Sequence, residues 1–175
     1  MSTRYLRKYH RVIEQWLARP YGAESFALAF GSRFAIISIA VCVSMSAQIA
    51  IGAVVFVFTG ESPVAHKALA EYTRMAQLVG GSFLAPLLET LLVQVVGIFI
   101  FRKIFHANWI LSCIAVGCIF GALHGYGGWA LLKLSLTGVL VTAVYVIETR
   151  KRGKPILMTF ATHSIYNTIL WIAKS

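Results

Sequence analysis

Apolar residues in this chain are neither alternating nor confined to a stripe; they run on in blocks: Phe34–Phe58, Leu78–Phe101, Trp109–Tyr126, Trp129–Ile147 and Pro155–Ala173. A helix needs about 20 mostly apolar residues to cross a bilayer, so each block is read as a spanning helix, the third and fifth near the short limit. Gly125-Tyr126-Gly127-Gly128 makes a tight turn between the third and the fourth. Ahead of the first block, Tyr5, Leu6, Val12, Ile13, Trp16 and Leu17 recur at helical spacing opposite Arg4, Arg7, Lys8 and Arg11, and Pro20 closes the pattern. That is an amphipathic helix lying in a membrane interface. The expected fold is all-α: a polytopic membrane helix bundle of about five transmembrane helices with an N-terminal interfacial helix. Residues 1–33 are expected to be the cytoplasmic interfacial segment and 34–175 one helical domain, its motif-bearing core at about 78–173. The N-terminal pattern fits an uncleaved signal anchor better than a cleaved signal peptide.

Composition agrees. The 175 residues are 58% hydrophobic and 13% charged, with a mean hydropathy of +0.76, where soluble domains average about 45–50% and about 25%. A soluble enzyme, a disordered chain and a disulfide scaffold are all excluded. Cys42, Cys113 and Cys118 lie in apolar runs without a CxxC pair and read as small hydrophobes. Sixteen Lys and Arg against six acidic residues would suggest nucleic acid on a soluble fold. Here the basic residues flank the apolar blocks instead, at Arg4 to Arg33, at Arg102 and Lys103, and at Arg150, Lys151, Arg152 and Lys154. The expected partner is the lipid bilayer, not nucleic acid. Under the positive-inside rule every cluster is cytoplasmic with the N-terminus in and the C-terminus out, leaving Lys67, Arg74 and Lys174 outside. A prokaryotic cytoplasmic membrane is the expected location.

Inside the blocks the ionisable residues are Glu89, His124, Lys133 and His163. Lys133 is near a helix end and can snorkel; the others are functional candidates because burying such groups in hydrocarbon is costly. Gly80, Gly81 and Pro86 suggest that the regular helix carrying Glu89 begins late, with Pro86 in its first turn. His124 follows a Gly117, Gly121, Gly125 row that would let a neighbouring backbone approach. Asn167, four residues after His163, shares its helix face. A carboxylate, two imidazoles and an amide suit hydrolysis, which needs a base for water, a group to orient it and donors for an oxyanion. There is no GxSxG nucleophile and no HExxH pair, although zinc on Glu89, His124 and His163 stays open.

These residues resemble the CAAX-protease and bacteriocin-processing (CPBP, Abi) family of intramembrane endopeptidases, which includes the Ras-converting CAAX endopeptidases. The family's marks are Glu-Glu-xxx-Arg, Phe-xxx-His and His-xxx-Asn motifs on successive helices; here Glu89-Thr90 with Gln94, Phe120 with His124, and His163 with Asn167 fall in that order. Thr90 stands where the family usually has its second Glu, and Gln94 where it has Arg. The resemblance implies a glutamate-type protease: Glu89 as the base, His124 on the water, His163 and Asn167 as oxyanion stabilisers, with Thr90, Gln94 and Phe120 in support. It implies no cofactor, zinc being the alternative. The implied substrate is a membrane-anchored peptide or protein, cleaved at a site opening to the outer half of the bilayer. A catalytically weak or inactive relative, acting in bacteriocin immunity or regulation, is the second reading.

Overall fold

A computed structural model describes residues 3–60 and 72–173; Lys67 and Lys174, expected outside, are not among them. Helix α1 (Thr3–Ala18) is followed by a short 3-10 turn at Tyr21–Ala23, then by α2 (Phe26–Thr59), α3 (Arg74–Ile104), α4 (Trp109–Leu123), α5 (Gly128–Arg150) and α6 (Pro155–Ala173). No strand occurs among the described residues, and the all-α membrane bundle stands. α2, α3, α5 and α6 are long and apolar enough to cross a membrane. α4, at 15 residues, is shorter than the expected Trp109–Tyr126, because the chain leaves the helix at His124 and Gly125 takes φ +71°.

Local sequence sets the ends. Ser25, Thr73 and Asn108 accept the first free N–H groups of α2, α3 and α4, from Leu28, Ala76 and Leu111. Gly60, at φ +69°, closes α2 by donating to Phe56 O. α6 opens on Pro155, whose missing N–H would have had no helical partner anyway.

The surface is apolar where a soluble protein's is polar, and polar side chains share the interior with the apolar core of Val93, Ile98, Val116, Phe120 and Val146. Large apolar side chains such as Leu28, Phe34, Phe58, Leu92 and Leu123 face outward, while Thr90, Gln94, Thr142, Thr159, Glu148 and Lys151 are fully buried. Lipid is the solvent that permits this. α4 and α5 pack closest, because a Cβ at Gly121 would strike the backbone of Ser135, and one at Gly138 would sit 2.6 Å from Gly117 O. The expected glycine row is corrected at its third member: Gly125 lies in the turn with open space around it.

At the opposite end of the bundle from that turn, α1 is tied to the turn between α5 and α6. Arg150 holds Glu14 with both guanidinium nitrogens, at 3.1 and 2.6 Å. Lys151 is buried, donates to Trp16 O and Glu24 Oε1 at 3.3 and 3.2 Å, and lies over the rings of Trp16 and Tyr21. Glu148, also buried, accepts from the Lys154 N–H at 2.9 Å and faces Arg33 Nε at 3.5 Å. The basic residues of this end were expected to flank the apolar block at the membrane surface; Lys151 is instead buried in an ion pair, since the Glu24 carboxylate from the segment between α1 and α2 reaches it.

Candidate functional site

The carboxylate comes from α3, which is not a uniform helix. It passes through three wide turns with the π-type hydrogen-bond pattern, at Gly80–Leu84, Thr90–Val95 and Ile100–Ile104. Such turns admit a residue without breaking the helix and recur at functional positions. The first lies just before Pro86, so the helix begins at Arg74 and runs through the proline. The expected late start is corrected, since helix begins at Arg74, whereas the regular α-helical pattern resumes at Ala85 with Pro86 in its first turn as expected; a proline lacking an N–H is tolerated there because the preceding turn is already widened.

Glu89 follows one turn later. His124 stands at the C-terminal cap of α4 and His163 in the middle of α6. The two imidazoles meet the same carboxylate from different helices, His124 Nε2 lying 3.7 Å from Glu89 Oε1 and His163 Nε2 3.5 Å from Glu89 Oε2. Phe120 packs between them, its ring centroid 4.8 Å from that of His124 and 5.4 Å from that of His163. Glu89 and His124 keep 28% and 21% of their side-chain surface accessible whereas His163 keeps 4%, so the site is open on the Glu89–His124 side and closed behind His163.

Hydrogen bonding assigns the ring nitrogens. His124 Nδ1 is 2.8 Å from Phe120 O, and a carbonyl only accepts, so Nδ1 carries a proton and Nε2 is the nitrogen turned toward Glu89. His163 Nδ1 is buried without a hydrogen-bond partner, and its Nε2 is the nitrogen that faces the carboxylate.

Of the other residues singled out from the sequence, Thr90 and Gln94 are fully buried, and neither hydroxyl nor amide has a protein partner. Asn167 is on the expected face of α6, but its Nδ2 donates to Gly81 O at 2.7 Å. Sequence reasoning singled out Gly81 only as part of a helix start, not as the acceptor that Asn167 meets. Among the described residues no group of three His, Cys, Asp or Glu side chains is gathered so as to hold a metal ion, and the two imidazoles address different oxygens of Glu89. Beside the site, α3 and α4 enclose an apolar groove of about 300 Å³, lined by Leu92, Val96, Phe101, Phe105, Ile119 and Leu123.

Fold and site together define a multi-pass membrane protein with a carboxylate–imidazole centre inside its bundle. Residues 71–169 match the family model described as type II CAAX prenyl endopeptidase Rce1-like. That is more than half of the chain, and the protein belongs to this family of intramembrane proteases. No curated protein and no solved structure matches the chain.

Proposed function

We propose that this protein hydrolyses a peptide bond of a membrane-anchored substrate, with Glu89 as general base. The observation that carries the reading is the single carboxylate flanked by two imidazoles from different helices, His124 and His163, each on its own oxygen. A water molecule between Glu89 Oε1 and His124 Nε2 would donate one hydrogen to each and keep a lone pair for attack. Glu89 takes the water proton as the oxygen adds to the scissile carbonyl carbon. The oxyanion so formed is stabilised by the His163 Nε2–H. Glu89 then returns the proton to the amine nitrogen as the C–N bond breaks, yielding a carboxylic acid and an amine, between which the remaining hydroxyl proton redistributes in water. The apolar groove, whose lining includes Leu92 and Leu123, near neighbours in sequence of Glu89 and His124, supports a substrate carrying an apolar anchor.

The proposal routes no step through a metal, in keeping with the separate oxygens that the imidazoles address. Prolonged dialysis against a chelator is expected to leave cleavage unchanged, and added zinc to restore nothing. Loss of activity with recovery on zinc would replace Glu89 as base by a metal-bound water.

The proposed orientation keeps the N-terminus inside, with the end bearing Arg33, Arg102, Arg150 and Lys151 toward the cytoplasm and the site toward the outer half. Single cysteines at Lys67 and at the exposed Arg152 test it: an impermeant thiol reagent added outside is expected to label the first and spare the second. The converse pattern would turn the site toward the cytoplasm.

A further inference from the structure

We infer that Asn167 is a positioning residue: its amide supplies Gly81 with the hydrogen bond that Pro86 cannot give, and so fixes the register of the His163 helix against the Glu89 helix. The inference rests on the reading of Glu89 and His163 as the reaction centre.

In an ordinary helix Gly81 O would accept from the N–H of Ala85. Here Ala85 N–H bonds Gly80 O instead, because the turn is widened. The next donor along the chain would be residue 86, which is proline and has none. A backbone carbonyl left without a donor within a membrane bundle is costly. Asn167 Nδ2 meets it from α6 at 2.7 Å, a normal length for an N–H···O bond.

Asn167 lies one helical turn from His163, and Gly81 about two turns ahead of Glu89 on α3. Asn167–Gly81 and His163–Glu89 are thus two rungs between the same pair of antiparallel helices. The first uses a main-chain acceptor whose position is set by the helix itself. Without it, side-chain packing and the longer His163–Glu89 contact at 3.5 Å would be left to set the height of the imidazole against the carboxylate. One of the two amide hydrogens of Asn167 is therefore committed to the scaffold, which revises the implied role of this residue as purely an oxyanion donor.

A double-mutant cycle separates the two roles, because Pro86→Ala restores an N–H at the position able to serve Gly81. Wild type, Asn167→Ala, Pro86→Ala and the double variant would be compared in kcat and KM on a membrane-anchored peptide and in unfolding temperature in detergent. Asn167→Ala is expected to lower kcat about 100-fold with KM changed less than about twofold, the scale of a misplaced catalytic group. In the Pro86→Ala background the same substitution is expected to cost about tenfold or less, and its effect on unfolding temperature to shrink in parallel, since residues sharing one hydrogen-bond site couple. Asn167→Asp, which keeps shape but cannot donate when ionised, should behave like Asn167→Ala and offers a second route should the proline variant fold poorly. Equal losses in both backgrounds with no coupling in unfolding temperature, or full activity in Asn167→Asp, would overturn the inference. Should none of the proteins cleave the peptide, the proposed function fails, while the unfolding cycle still decides the Asn167–Gly81 bond.

Discussion

Glu89→Gln is expected to lower kcat/KM for a membrane-anchored peptide by about 1,000-fold or more, the range general-base catalysis supplies. The substitution keeps the size of the side chain and can still hydrogen-bond His124 and His163, so yield and unfolding temperature in detergent should stay near those of the parent. What is lost is the capacity to take a proton from water. Cleavage by Glu89→Gln at the parental rate, in liposomes as well as detergent, would remove Glu89 from the proposed role and with it the glutamate-type mechanism.

The second large effect lies at the far end of the bundle and concerns stability. Glu148 is 1% exposed and accepts from the Lys154 N–H at 2.9 Å while facing Arg33 at 3.5 Å. Glu148→Leu would leave that N–H without its acceptor and Arg33, itself partly buried, without its counter-charge. Breaking a buried pair by removing one partner costs about 3–5 kcal/mol, more than the pair contributes against an apolar replacement of both. The variant should therefore unfold at a lower temperature in detergent and lose the attachment of α1, read as increased proteolytic cleavage between α1 and α2. Arg33→Met in the Glu148→Leu background should recover part of the loss, since the orphaned charge is gone. An unchanged unfolding temperature in Glu148→Leu would mean that the network is not holding the α5–α6 turn.

Much of the architecture was legible because hydrocarbon imposes a simple rule, that every long apolar block must satisfy its own backbone. Four blocks became spanning helices and the amphipathic stretch became α1. The convergence of Glu89, His124 and His163 was legible too, since costly groups in greasy helices have few reasons to be there other than one another. Lys151 and Glu148 were not, because a basic run beside a helix end has the same composition whether it snorkels or is buried; only the Glu24 and Arg33 side chains, supplied by distant segments, decide. The continuation of α3 through Pro86 was hidden for a related reason: a proline signals a helix start unless a widened turn precedes it, and turn width leaves no mark in residue type. Asn167 was placed on the right face, but its partner is a main-chain oxygen, and no pattern of side chains announces a carbonyl that has lost its donor.

The brevity of α4 carries a consequence for the surrounding lipid. Its 15 residues, at about 1.5 Å each, span about 22 Å, against about 30 Å of acyl chain in an average membrane. Hydrophobic mismatch of that size is expected to draw the nearby leaflet inward at His124, the last step before the turn. Headgroups and their hydration would then dip toward the Glu89 carboxylate, and the host membrane's thickness would become a determinant of how wet the proposed centre is.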